Sequence, residues 1–522
     1  MAAMRFFNTA GPCDPAKHYM LPPERRLPEV RDLIDQEHYF VLHAPRQTGK
    51  TTSIRALASS LTAEGHYAAL VASCETGQAV GGRLDEGIAT VLDALHLAAR
   101  IDLPAELRPP DPDPTLSAAT RLQDFLTRWS QQCSRPIVLF LDEVDALLDE
   151  VLLSVLRQLR AGYPGRPGAF PQSVALIGLR DVRDYRIRLR PNTESLGTSS
   201  PFNIKVESLT LRNFTAQEVA ELYDQHTAET GQIITDEAKA LAYELTRGQP
   251  WLVNALARQA VQVLERDRSV PIQASQIERA KEILIERRDT HLDSLIDRLR
   301  EPRVRRILEP ILAGEFLSPD VLDDDIQFVE DLGLVARSVG LEIANPMYRE
   351  IIPRALTSVT QRSLPLGRAS FVADEGTLDT CALLEDFRAF WCQHAESFLD
   401  RQPYSEAAAQ LIFMAFLQRV VNGGGYIDRE YAIGSGRIDL CVRWPYAGGL
   451  QRWAIELKVW RDGRPDPLQD GLEQLSAYLD RLALDQGTLI LFDGRTQTSP
   501  LPERCSQNEM EHRGRRITVL RL

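Results

Sequence analysis

The chain of 522 residues has no run of 18 or more apolar residues, so no segment carries the signature of a membrane-spanning helix. Its seven cysteines, Cys13, Cys74, Cys133, Cys381, Cys392, Cys441 and Cys505, form no C-x-x-C pair. That argues against both a zinc site and a disulfide framework. The opening MAAMRFFNTAGP lacks the apolar stretch of a secretory signal. An excess of positive charge is missing too. The formal net charge of −13 excludes a protein that coats nucleic acid by bulk charge, while leaving room for a local basic groove. These absences predict a large cytoplasmic protein with no membrane association. At roughly 100–200 residues per domain, about three domains are expected.

What is present divides the chain. A Pro- and Arg-rich N-terminal segment (1–37) precedes alternating apolar strands and helices over 38–212. The strands expected are HYFVLHA (38–44), YAALVAS (67–73), IVLFLDE (137–143) and VALIGL (174–179), with a helix from Thr51 to Leu61. Runs apolar on both faces mark buried parallel strands, and the helices between them predict an α/β domain. Residues 213–300 read as a helical lid. Thr215 and Glu218 have capping-box spacing, Asp236 is the expected cap of a second helix, and Trp251 to Leu264 form a third. Residues 301–360 read as winged-helix-like, ending in the hairpin LGLVARSVGLEIAN. A linker (361–376) then leads to a C-terminal α/β domain (377–522).

Between the first strand and its helix lies APRQTGKTT: Ala44, Pro45, Arg46, Gln47, Thr48, Gly49, Lys50, Thr51 and Thr52. Strand, tight loop and helix start are the context a phosphate-binding loop requires. Backbone N–H groups at the helix start cradle phosphates, Lys50 reaches the β- and γ-phosphates, and the Thr51 hydroxyl serves Mg²⁺. The usual first glycine is replaced by Ala44. Left-handed backbone there would be penalised by roughly 1 kcal/mol, so the turn is expected to avoid positive φ at that position. IVLFLDEVD ends a second strand with two carboxylates. Asp142 suits the Mg²⁺ shell and Glu143 suits polarising the attacking water. Arg180 and Arg183 follow the fourth strand, either sensing the γ-phosphate or pairing with Asp181 and Asp184. No N-K-x-D motif reads guanine, so ATP is the expected nucleotide.

Beyond these two motifs, residues 5–355 resemble the AAA-like, archaeal-type P-loop ATPases related to STAND and Orc/Cdc6 proteins. The matching stretches are FFNTAGP (6–12), HYMLPPERRL (18–27), PRQTGKTT, FLDEVD, LIGLRDVRDY, LTLRNFT (209–215) and RGQPWLVNAL (247–256). The resemblance implies a P-loop parallel sheet, a lid and a winged helix, with Pro250 lying against adenine. It also implies homo-oligomers and regulated switches, so a homo-oligomer and a protein trigger are expected.

In the C-terminal domain RIDLCVRW (437–444) and RWAIELKVW (452–460) alternate strictly, joined by the turn PYAGGLQ. Ile438, Leu440 and Val442 share one face and Asp439 lies on the other. Glu456 and Lys458 share a face opposite Ile455 and Leu457. Paired as a hairpin, Asp439 and Glu456 meet on one surface and offer hard oxygens to Mg²⁺. The simpler reading is a charged, wet sheet face. Glu406, beside the expected helix cap Ser405, supplies a further carboxylate. A later helix carries Leu468, Leu472, Leu475, Leu479 and Leu482 as its buried stripe, with Gln474 and Tyr478 four apart beside it. Together these resemble the PD-(D/E)xK nuclease superfamily in its RecB-like form: Asp439, Glu456-x-Lys458 and Gln474-x-x-x-Tyr478, with Glu406 as the first-helix acid and Ile438 in place of the proline. The resemblance implies a mixed sheet flanked by helices and cleavage of DNA with Mg²⁺ or Mn²⁺. Arg419, Arg429, Arg437 and the Arg513–Arg516 region are candidate groove arginines. The expected whole is an ATPase fused to a DNA nuclease, acting in defence against foreign DNA. The competing expectation is a nucleotide-dependent switch or scaffold that binds without cutting.

Overall fold

The computed structural model describes residues 4–179, 205–287, 295–313, 323–337, 340–363, 371–399, 407–421, 426–432, 437–495 and 501–522. Its backbone forms two compact units. One is Met1–Glu282 with Asp331–Gly333, the other Ile283–Glu330 with Leu334–Leu522.

In the first unit, five short strands form a wholly parallel sheet: β1 (Tyr39–His43), β2 (Ala68–Ser73), β3 (Ile137–Asp142), β4 (Ser173–Gly178) and β5 (Lys205–Thr210), ordered β2-β3-β4-β1-β5. Both faces are apolar because both are covered. Alternate residues of β1 divide between two cores. Phe40 and Leu42 pack with α1 (Pro28–Asp35) and α2 (Lys50–Ala63) through Ile34, Ile54 and Leu61. Tyr39 and Val41 pack on the other side with α3 (Leu84–Asp102), α4 (Ala118–Gln132) and α5 (Asp149–Gly162) through Leu95, Trp129 and Val155. The order reverses direction beside β1, so the loop after β1 opens at a switch point of the sheet, where α/β folds bind ligands.

The lid follows as α6 (Ala216–Thr230), α7 (Asp236–Thr246), α8 (Pro250–Arg258) and α9 (Ala274–Arg287). Thr215 and Glu218 form the expected capping box. Asp236 is not a cap. The Thr235 side chain accepts from Ala238 N, and Asp236 sits in the first helical turn, where a carboxylate favours the dipole. The third helix starts at Pro250 rather than Trp251 and widens to a π-turn over Gln259–Leu264.

The second unit begins with helices that include Pro302–Ala313 and Asp323–Asp331, then the expected small hairpin, β6 (Val335–Arg337) and β7 (Leu341–Ile343). Helices Pro346–Ser363, Thr380–Leu399 and Ala408–Val421 precede a six-stranded mixed sheet. Its strands are β8 (Tyr426–Ala432), β9 (Arg437–Tyr446), β10 (Gly449–Trp460), β11 (Gln486–Asp493), β12 (Ser506–His512) and β13 (Arg515–Arg521), ordered β12-β13-β11-β10-β9-β8. The turn between β9 and β10 is tighter than PYAGGLQ suggests, since the ladder closes at Tyr446 and Gly449. The Leu468–Leu482 helix covers one sheet face through Leu472, Leu475, Tyr478 and Leu479 against Ala454, Leu489 and Leu491. On the other face Trp391 of the Thr380–Leu399 helix lies against Phe492, ring centroids 4.9 Å apart. Among the described residues no helix is long and apolar enough to cross a membrane.

Candidate functional site

The loop after β1 is built by its own backbone. Ala44 is fully buried and hydrogen-bonds from its N to Gly178 O at 3.4 Å, continuing β1 along β4. Its φ is not positive. The left-handed positions fall instead at Gln47 (φ 59°) and Gly49 (φ 87°), which explains how alanine is accommodated. Thr48 Oγ1 donates to Pro45 O at 2.9 Å and closes the turn. Lys50 Nζ donates to Ala44 O at 2.6 Å and to Pro45 O at 2.9 Å, so the ammonium spans the loop's mouth. Arg46 is exposed at the rim.

Thr51, the next residue of α2, donates from Oγ1 to Asp142 Oδ2 at 2.6 Å. Asp142 is buried at the end of β3, and its Oδ1 accepts from Glu143 N at 3.0 Å. Glu143 has left-handed backbone (φ 56°), and its carboxylate accepts from Ser73 Oγ of β2 at 3.1 Å. Burial raises the carboxyls of Asp142 and Glu143. For Asp142 the Thr51 hydroxyl and Lys50 oppose the rise, whereas for Glu143 the neighbouring Glu75 and Asp142 add to it. Burial lowers Lys50 to about 8 against the pull of Asp142, Asp145 and Glu143. A cation, a hydroxyl and two carboxylates thus meet at a helix N-terminus. The oxygens of Thr51 and Asp142 are hard donors that fit Mg²⁺.

Several supports escaped sequence reasoning. Arg26, buried, donates from Nη1 to Thr48 O at 2.9 Å and from Nε to Arg212 O at 3.1 Å, and stacks on Phe214 at 4.8 Å. It ties the loop to the start of the lid, and burial lowers it to about 10. Its partners lie 22 and 186 residues away, so local pattern carries no sign of them. The sole cue is its place in HYMLPPERRL. Thr52 Oγ1 accepts from Cys13 N at 3.0 Å, and Trp251 Nε1 donates to Thr9 O at 2.9 Å. The segment Thr9–Cys13 therefore runs between α2 and α8. Pro250 opens α8 and is buried, and the preceding Gln249 reaches Gln47 O at 3.5 Å. Arg180 and Arg183 lie outside the described residues.

The second constellation sits within the mixed sheet. The β9–β10 ladder pairs Asp439 directly with Glu456. Glu456 is fully buried and Lys458 nearly so, with Lys458 Nζ 3.1 Å from Glu456 Oε1. This face is not wet. The Leu468–Leu482 helix lies over it, and its Gln474 Oε1 accepts from Lys458 Nζ at 2.5 Å. Tyr478, one turn on, is buried in the same layer. Glu406 lies outside the described residues. Among the described residues no three His, Cys, Asp or Glu side chains converge as a metal cluster. Of the candidate groove arginines, Arg515 pairs with Asp480 and donates to Leu484 O, and the side chains of Arg419, Arg429 and Arg437 fall outside the described set.

Residues 25–166 match the AAA ATPase domain family. Solved structures similar to the chain include a Walker-type ATPase of Pyrococcus abyssi, with 15% identity, 64% of this chain and 96% of that one covered, and a TM-score of 0.47. Cdc6p from Pyrobaculum aerophilum shows 13% identity over 66% of this chain and 94% of its own, with a TM-score of 0.35. The Thermotoga maritima RuvB Holliday junction branch migration motor shows 17% identity over 63% and 92%, with a TM-score of 0.34. No curated protein sequence matches the chain significantly. The loop and the acidic end of β3 both fall within the segment that matches the AAA ATPase domain family.

Proposed function

We propose that the protein is an ATP-hydrolysing switch that governs a metal-dependent DNA nuclease carried by its C-terminal sheet. For the nuclease, the observation that supports the reading best is the buried Glu456–Lys458 pair, set across the ladder from Asp439 and bonded to Gln474. A buried ion pair is seldom a gain in stability over apolar residues, so its presence in a sheet core favours a chemical role. Asp439 and Glu456 are the carboxylates that would hold Mg²⁺ or Mn²⁺, and the bound ion would stabilise charge developing on a phosphodiester. Lys458, fixed by Gln474, offers its ammonium to the same phosphate. In the amino-terminal unit Lys50 and the N-terminus of α2 hold the phosphates of ATP, Thr51 and Asp142 would hold Mg²⁺, and Glu143 orients the attacking water. ATP governs cutting to the extent that it binds two conformations unequally. Defence against foreign DNA is the role that such a gated nuclease fits.

The test is cleavage of linear, circular and single-stranded DNA with Mg²⁺ or Mn²⁺, with and without ATP. Wild type is compared with Glu456→Gln and Lys50→Ala. Cutting is expected to vanish in the Glu456 variant, and its ATP dependence to vanish in the Lys50 variant, which loses ATP binding. No cutting by wild type under any condition sinks the nuclease and leaves a switch that binds without cutting. Wild-type ATP affinity in Lys50→Ala sinks the loop assignment.

A further inference from the structure

A cluster of arginines gathers around one tryptophan at the end of the strand that carries Glu456 and Lys458. Trp460 closes β10, half-buried, on the face shared by those two residues. It stands two residues beyond Lys458, about 7 Å along the strand. Parallel pairing brings the ends of β10, β11 and β13 together: Trp460 pairs with Asp493, and Leu491 with Arg521. The Arg495 guanidinium lies 3.4 Å from the Trp460 ring centroid and that of Arg521 lies 6.0 Å away. Trp460 Nε1 donates to Arg464 O at 3.0 Å, which turns the exposed Arg464 segment back over the strand end.

The carboxylates nearby orient these arginines without balancing them. Arg495 grips Asp493 through two bonds of 2.8 Å, and Arg504 Nη1 reaches the same carboxylate at 3.6 Å and Asp493 O at 3.1 Å. The Arg495 bond holds the Asp493 carboxyl below its usual range, so that the carboxylate stays charged. Arg521 pairs with Asp466 at 2.7 Å. Over Trp460 to Asp466, the ends of β11 and β13 and the Leu501–Arg504 helix there are five arginines (461, 464, 495, 504, 521) and four acidic residues (Asp462, Asp466, Asp493, Glu503). The local side-chain surplus is one positive charge, in a chain of net charge −13. Arg495 engages Asp493 through Nε and Nη2 and Arg521 engages Asp466 through Nη2, and the further N–H donors that each guanidinium carries suit contact with phosphate.

The geometry points to a phosphate clamp for the sugar–phosphate backbone of a DNA strand, formed by Arg495 and Arg521 on the Trp460 platform with the exposed Arg464 beside it. It rests on the nuclease reading in one respect: the clamped phosphates flank the one presented to Glu456 and Lys458. The clamp itself is a binding surface and is measured without cleavage.

Anisotropy of a fluorescein-labelled 20-nucleotide DNA, single-stranded and duplex, is titrated with the full chain in EDTA over a salt series. The double variant Arg495→Ala/Arg521→Ala is expected to bind at least tenfold more weakly, with a salt slope shallower by about one per lost phosphate contact. Because Arg495 and Arg521 also form ion pairs, Arg464→Ala serves as a second variant. Its expected loss is about threefold, with an unchanged melting temperature. Arg452→Ala, an exposed arginine near the opposite end of β10, is expected to stay within twofold of wild type. Affinities within twofold for all the clamp variants, or no binding by wild type, overturn the clamp. Arginine-dependent binding without cutting keeps the clamp and removes the nuclease. Glu456-dependent cutting with unchanged affinity in the clamp variants does the reverse.

Discussion

Lys50 carries its charge at a disadvantage that ATP should relieve. Burial holds it at about 8, against an ordinary 10.5. Between those values the folded chain binds fewer protons than the unfolded one, so this residue makes stability rise with pH across that window, and its penalty is complete below about 8. Phosphate oxygens beside the ammonium favour the charged form and should raise it again. ATP binding near pH 8.5 is therefore expected to take up protons. Calorimetric titration in two buffers of different ionisation enthalpy measures this, and proton release or no exchange would count against it. A second residue-scale test concerns Gly248. At φ +72° it has left-handed backbone, and a Cβ there would lie 1.8 Å from Phe214 O. Gly231 has a similar φ of +77° and nothing within 4 Å. Gly248→Ala is expected to destabilise the amino-terminal unit by at least ~2 kcal/mol and Gly231→Ala by ~1 kcal/mol. Urea midpoints at unchanged slope report the difference; equal losses would mean that backbone conformation alone matters and the close approach does not.

At the scale of elements, the buried pair on β10 gives the sharpest expectation. Lys458→Met leaves the Glu456 carboxylate in the sheet core without its cation and should cost ~3–5 kcal/mol, whereas the double variant Glu456→Gln/Lys458→Met should regain much of that. A double-mutant cycle on chemical unfolding would expose additive losses, which would mean that the two side chains do not act as a pair. Elements were also where the sequence read most plainly. Four of the five strands of the parallel sheet appear within a residue or two of their expected limits, because runs apolar on both faces leave few other choices, whereas β5, KVESLT, has no such run and is not among the strands expected. Alternation correctly grouped Glu456 with Lys458, but it says only which residues share a face and not what lies over it. That face could be read as solvated until the Leu468–Leu482 helix is placed on it. The caps show a similar limit: Thr215 with Glu218 was legible as a box, while at Thr235–Asp236 two good capping residues stand side by side and local chemistry does not choose. Arg26 was illegible as a brace, since the carbonyls it binds come together only when the lid has folded.

For the whole molecule, the division into two units makes ATP a selective stabiliser. A ligand that binds one native unit raises that unit's unfolding free energy by mass action, about 2.7 kcal/mol at a hundredfold excess over its Kd. Differential scanning calorimetry should show ATP shifting the transition of the amino-terminal unit and not that of the carboxy-terminal one. The shift should be lost in Lys50→Ala. A shift of the carboxy-terminal transition alone would place the nucleotide elsewhere.

The order of the parallel sheet has a consequence for synthesis on the ribosome. β1 is made early, but its partners are β4 and β5, more than 120 residues later. Until Gly178 has emerged, the phosphate loop is attached to an apolar strand with neither edge paired, and one edge stays open until Thr210 has followed; pairing at such separation is intrinsically slow. The newborn chain therefore gains from being sheltered from aggregation while this sheet is being made, and the phosphate loop reaches its folded setting only after β4 has been synthesised.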